Sequence, residues 1–177
     1  MAHAAATAEH DSALGAPHQP WDAAAAGWDQ HGDLIHAWLK QITQTMLNDA
    51  RIGLGARVLD VAAGAGDQTL DIARRVGASG WVLATDVAPA ILALAQKNAD
   101  AAGLGQVRTQ VADAESLGLA GSDFDAAVCR LGLMFCHCPL AAQPLFLVAF
   151  WNSKKTDRKS TRLNSSHRNT SRMPSSA

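Results

Sequence analysis

The chain has 177 residues, 48% hydrophobic and 18% charged, with a formal net charge of −1. That suffices for one domain with a sizeable core and is too short for two of ordinary size. The charge is unevenly spread, since residues 152–177 carry seven Lys/Arg and one acid while residues 1–151 carry eight Lys/Arg and fifteen acids, as if two different sequences were joined. No apolar run is long enough to span a bilayer, and the start lacks the basic-then-apolar layout of a secretory leader, so a cytoplasmic location is the default expectation. Cys129, Cys136 and Cys138 are an odd number crowded into ten positions, which reads as reduced thiols rather than a disulfide framework. Neighbours so close cannot complete a tetrahedral metal shell, and no metal is expected.

Residues 1–20, rich in Ala, His, Gln and Pro without a sustained period, read as a mobile arm. From about Trp28 the apolar residues Leu34, Ile35, Trp38, Leu39, Ile42, Met46 and Leu47 recur at three and four, predicting an amphipathic helix with Asp33 as N-cap and Gly53 and Gly55 beyond its end. Trp38 is expected in the core, and Trp28 is equally suited to a lid or an anchor. His31 and His36 stand five apart rather than four, which disfavours a metal pair; a general-base role is the lesser alternative to a structural one.

The organising stretch is Val58 to Thr69. An apolar run suited to a strand buried on both faces breaks at Gly64 and Gly66 and resumes at helical spacing through Leu70, Ile72, Ala73 and Val76, ending at Gly77. Glycines at such a junction let the backbone approach a nucleotide, and the helix start offers free N–H groups. A dinucleotide fingerprint would need a third glycine where Thr69 stands, and Asp67 would repel a phosphate, so a phosphate-free cationic ligand fits better. Trp81 to Asp86 reads as a second strand, placing Asp86 at a carboxyl end, twenty residues beyond Gly66, where an acid can accept from both ribose hydroxyls. Pro89 opens a helix with Ile91, Leu92, Ala95, Ala99 and Ala102 on one face and Gly103 past its end. Val107 to Val111 reads as a third strand leading to Asp113, and Asp123 to Arg130 reads as a turn entering a fourth strand. Strands alternating with helices in this order imply a parallel, doubly wound α/β sheet.

Val58, Leu59 and Asp60 followed by Gly64 and Gly66 resemble the cofactor motif of class I S-adenosylmethionine-dependent methyltransferases, in a version similar to the ubiquinone/menaquinone-biosynthesis type. The resemblance covers about Trp21 to Phe135 and implies a Rossmann-like fold, S-adenosyl-L-methionine as cofactor and a small-molecule methyl acceptor such as a quinone precursor. It further implies a cofactor-binding set of Asp60, Ala62, Gly64, Gly66, Asp86, Val87, Asp113, Ala114 and Arg130. In that set Asp60 and the Gly64–Gly66 loop hold the methionine end and Asp86 the ribose. Asp113 and the Ala114 N–H meet the adenine, and the backbone at Arg130 and Leu131 borders the methionine part. The Arg130 side chain is expected to pair with an acid in the cleft rather than to bind an anionic substrate. No residue stands out as a catalytic base, and neither the acceptor nor the oligomeric state is legible.

Near His137 the likeness is expected to break, because the Pro-Gly-Gly turn and last three strands of the family do not follow; only the apolar run Leu145 to Trp151 suggests a strand. Asp157 to His167 resembles a translated sequencing-adapter oligonucleotide, and residues 152–177 are set aside as a basic disordered tail of that origin. The rival reading, an arm that binds nucleic acid, is disfavoured by the lack of aromatics. The division is therefore an arm at 1–20, a truncated methyltransferase domain at 21–151 and the tail. Two alternative functions stand beside methyl transfer: a truncated, non-catalytic cofactor-binding fragment, and a nicotinamide-dependent oxidoreductase domain. A sheet lacking its last strands would leave an open edge and uncovered apolar surface, so poor solubility and dye binding are expected.

Overall fold

The apolar runs Val58 to Val61 and Val82 to Thr85 become strands buried on both faces. The structure, a computed structural model, describes residues 18–119 and 124–136. Strands β1 (Arg57–Val61), β2 (Trp81–Asp86), β3 (Val107–Val111) and β4 (Ala126–Cys129) form a parallel sheet in the order β3-β2-β1-β4. Val58 lies beside Val82 and Ala126, and Asp60 beside Ala84 and Val128. The chain moves outward from β1 to β3 and then returns to the far side of β1. That reversal opens a crevice at the carboxyl ends of β1 and β4, where open α/β sheets take their ligands.

Strand alternation sends Val58, Val82, Ala126 and Val128 to one face, where they join Ile72, Ala73 and Val76 of helix α3 (Asp67–Val76) and Ala99 of helix α4 (Pro89–Ala101). Leu59, Val61, Leu83 and Ala127 face the other way, against Leu117, Leu119 and Phe124. Fully buried Ile72 and Val76 each contribute roughly 1.5–3 kcal/mol of stabilisation relative to exposure. Among the described residues, the helices that reach the sheet all pack on one face. Arg57 fastens the entry edge, its guanidinium donating to both carboxylate oxygens of Asp125 at 3.1 Å, so β1 and β4 start in register.

The leader departs from its expected form in two ways. Helix α1 (Gln19–Gln30) already begins within the supposed arm, and His31 separates it from α2 (Gly32–Asp49), with Asp33 in the first turn rather than at the cap. The Ala23–Ala26 run carries no apolar period, so α1 owes its place to α4: the Ala90 N–H donates to Asp22 Oδ1 at 2.9 Å, and Lys97 reaches Asp29 at 3.5 Å. The second departure is Trp38, which is 75% exposed rather than core. Only Leu39, Thr43 and Leu47 of α2 are buried, while Leu34, Trp38 and Ile42, four apart, form an exposed apolar stripe. Residues 1–17, the Leu145–Trp151 run, any later strands and the 152–177 tail lie outside the described residues.

Candidate functional site

Four segments meet at the crevice: the loop after β1, the end of β2, the turn after β3, and the end of β4 with the 3₁₀ turn Gly132–Phe135. They enclose a cavity of about 300 Å³, and α1 closes it from above with Trp21 and Trp28. Trp21 is seated edge-on against Phe135, ring centroids 4.8 Å apart, so the two sides of the mouth touch. Both leader tryptophans thus belong to the wall of the cavity.

The β1–α3 loop is strained where it passes the cavity. Ala62 has φ +53° and Gly64 φ +58°, and no atom lies within 4 Å of where a Gly64 Cβ would stand, so the glycine leaves open space on the wall. Asp86 fixes this loop from the neighbouring strand: the Gly64 N–H donates to its Oδ2 at 2.9 Å and the Ala88 N–H to its Oδ1 at 3.0 Å. One carboxylate therefore organises two backbone segments, lines the cavity, and has acceptor capacity beyond those two bonds. Beside it, just past the neighbouring strand β3, Asp113 accepts the Glu115 N–H at 2.9 Å, a turn that holds Asp113 and Ala114 on the wall. Val87 completes this side.

Of the nine residues expected to line a cofactor site, seven come together on this wall: Ala62, Gly64, Asp86, Val87, Asp113, Ala114 and Arg130. Asp60 and Gly66 do not, and the physical reasons differ. Asp60 shares the helix-facing parity of Val58, so its carboxylate points into the interface with α3, fully buried, accepting from Gln68 Nε2 and from Thr69 Oγ1, the latter at 2.6 Å. Burial pushes this acid up to about 7, against the opposing pull of the Thr69 and Gln68 hydrogen bonds and the Arg130 charge. Gly66, at φ +87°, permits close packing of helices: a Cβ there would stand 2.8 Å from the Ala95 Cβ.

Arg130 leaves the end of β4 and enters the wall almost fully covered, its side chain 7% exposed. Its Nη2 donates to both oxygens of Asp67 at 2.7 Å, and its Nη1 donates to Thr43 Oγ1 at 2.7 Å, tying β4 to the start of α3 and to α2. The expected pairing with an acid in the cleft is thus present. Gly132 allows β4 to lie this close to the loop, since a Cβ there would collide with the Ala62 Cβ. Asp67, read from the sequence only as an acid that would repel a phosphate, lies on the wall as well, and Gln68, Leu39, Glu115, Met134 and Phe135 line the cavity without having been expected there.

Neither leader histidine reaches the cavity. His31 Nδ1 lies 2.9 Å from the Gly27 carbonyl and His36 Nε2 donates to Asp71 at 3.1 Å. Burial pushes the Cys129 thiol up to about 11 and raises Cys136 as well, so neither is a thiolate nucleophile at neutral pH. Among the described residues no group of three or more His, Cys, Asp or Glu is arranged to hold a metal ion, and no helix is long and apolar enough to cross a membrane.

A family profile described as "Methyltransferase domain" matches residues 58–151, running past His137, where the sequence likeness was expected to break. The ubiquinone/menaquinone biosynthesis C-methyltransferase UbiE of Idiomarina loihiensis is 37% identical over 114 residues, 62% of this chain and 44% of that protein, so the chain spans less than half that relative's length. Among solved structures, a putative S-adenosyl-L-methionine-dependent methyltransferase of Methanococcus maripaludis matches with a TM-score of 0.61 at 16% identity, covering 81% of this chain and 74% of that one. The [4+2]-cyclase SpnF matches with a TM-score of 0.55 at 27% identity, over 62% of this chain and 40% of that one.

Proposed function

This chain belongs to the methyltransferase-domain family, and from that premise we propose that it binds S-adenosylmethionine in the cavity at the sheet's switch point and serves methyl transfer to a small-molecule acceptor. The observation that carries the reading is Asp86, a carboxylate at the end of β2 that holds the Gly64 loop by its N–H and lines the cavity. The lining suits such a group, with open space over Gly64 and acids at Asp86 and Asp113. When bound, the cofactor supplies an electrophilic sulfonium methyl group.

The chain's own contribution is to bind, orient and exclude water. Asp86 accepts from the ribose hydroxyls, the Asp113 carboxylate meets the adenine amino group, and the Ala114 N–H faces a ring nitrogen. Ala62, Gly64 and Val87 supply close backbone approach, while Trp21, Trp28 and Phe135 shield the mouth. A flat, largely apolar acceptor of the quinone-precursor kind suits the wall formed by Leu131, Met134 and Phe135, and the UbiE relative points the same way.

Titration with S-adenosylhomocysteine and, separately, NAD tests the reading. Binding of the first and not the second is expected, with loss of binding in Asp86→Ala; NAD binding alone overturns the cofactor, and undiminished binding by the variant removes the ribose role. The alternative is a cofactor-binding fragment without turnover. Cofactor binding without methyl transfer to any quinone-precursor acceptor would select it.

A further inference from the structure

The cavity wall has an uneven charge pattern. Among its described residues it carries the acids Asp67, Asp86, Asp113 and Glu115 and a single cation, Arg130. An anionic group on a ligand therefore has one full charge to meet. Arg130 is also incompletely used, because its Nε is buried and has no hydrogen-bond partner among the described residues, while Nη1 spends one donor on Thr43 and Nη2 serves Asp67. A buried guanidinium N–H without a partner is costly, and a carboxylate is a strong charge-assisted acceptor for it. Beside it the first turn of α3, a ten-residue helix, begins at Asp67 with its free N–H groups.

Asp67 supplies the opposite sign. It is 19% exposed, lines the same cavity and is held rigid through both oxygens by Arg130 Nη2. A fixed cation beside a fixed anion matches a ligand that carries both charges on neighbouring atoms. Asp60 is unavailable for such a task, since its carboxylate is sealed between β1 and α3.

We propose that the Arg130–Asp67 pair is the clamp for the zwitterionic amino-acid end of the cofactor, the spare guanidinium donors taking the α-carboxylate and Asp67 the α-ammonium group. This rests on the cofactor reading above and takes the place that the sequence resemblance implied for Asp60. Thr43 acts as a positioning residue: its hydroxyl accepts from Arg130 and donates to the Leu39 carbonyl at 3.1 Å, so the cation is anchored to α2 and cannot turn away.

The test is a ligand series on the full chain, read by direct calorimetric titration. S-adenosylhomocysteine carries both charges, its decarboxylated analogue lacks the carboxylate, and 5′-methylthioadenosine lacks the whole amino-acid end. The unaltered protein should bind S-adenosylhomocysteine about tenfold or more tightly over the decarboxylated analogue, the size of a charge-assisted hydrogen bond. Arg130→Gln should abolish that preference and Asp67→Asn should weaken both amine-bearing ligands, each leaving 5′-methylthioadenosine within about twofold. Equal affinities across the series in the unaltered protein overturn the clamp, as does an Arg130→Gln variant that weakens all three ligands alike. Should the variant not fold, the series on the unaltered protein decides by itself. Failure of the unaltered protein to bind any of the three sinks the cofactor reading itself, and the clamp with it.

Discussion

Replacing Asp60 by asparagine should change the pH dependence of stability in a way set by one buried group. The carboxyl is fully buried in the folded chain, and burial lifts it from its ordinary 3.8 to about 7; the Thr69 and Gln68 hydrogen bonds, the Arg130 charge and the Asp67 charge modulate that rise. Between those two pH values the folded state keeps a proton that the unfolded state has lost. Stability must then fall as pH rises from about 4 to about 7 and level off above. At 1.36 kcal/mol per pH unit the full loss is on the order of 4 kcal/mol, an upper bound because proteins relax around buried charge.

The amide introduced by Asp60→Asn cannot ionise, and the site can accept it. Its NH₂ group can donate to Gln68 Oε1, which has no partner among the described residues, while its oxygen accepts from Thr69 Oγ1. Urea unfolding followed by tryptophan fluorescence at pH 5 and pH 8 measures the effect. Asp60→Asn should be more stable than the unaltered chain at pH 8 by about 1–4 kcal/mol, and the difference should shrink at pH 5. Asp125, which the Arg57 guanidinium holds below the usual carboxylate range, loses its contribution only as pH falls below that range and does not confuse the window. Equal pH slopes for the two proteins, or a less stable variant at pH 8, would refute the account of Asp60 as a strained buried acid.

The two loop glycines should respond differently to alanine. Gly66→Ala places a Cβ 2.8 Å from the Ala95 Cβ at φ +87° and should cost about 2–4 kcal/mol in chemical unfolding, whereas Gly64→Ala meets open space and should cost about 1 kcal/mol yet weaken S-adenosylhomocysteine binding about tenfold or more. Replacing Leu34, Trp38 and Ile42 together by Gln should lower the fluorescence of a hydrophobe-binding dye without lowering the melting temperature, since all three are more than half exposed. Asp22→Ala removes the bond from the Ala90 N–H that pins α1 to α4, and limited proteolysis within α1 should accelerate several-fold, by about three to ten times.

Strands β1 and β2 and the helices α3 and α4 that follow them were legible because strongly apolar runs punctuated by Gly77, Pro89 and Gly103 leave the chain few alternatives. The helix α1 was not legible: its alanines form no stripe, and its order comes from Asp22 and Asp29 meeting α4, 68 residues away. Trp38 shows the converse, a residue at the right period whose apolar neighbours Leu34 and Ile42 turn away from the core together with it.

For the site, local spacing along the chain set the chemical types and the segments that carry them: an acid at the end of a second strand, a glycine turn after the first, an acid after the third. The structure gathers seven of the nine residues on one wall. Which charges face the cavity was settled only by packing. Strand parity turned Asp60 inward to α3, and the approach of β4 over Gly132 brought Arg130 onto Asp67, a contact across 63 residues that no local pattern records. Orientation about a strand and distance across a sheet become fixed only when the burial of every neighbouring residue is satisfied at once.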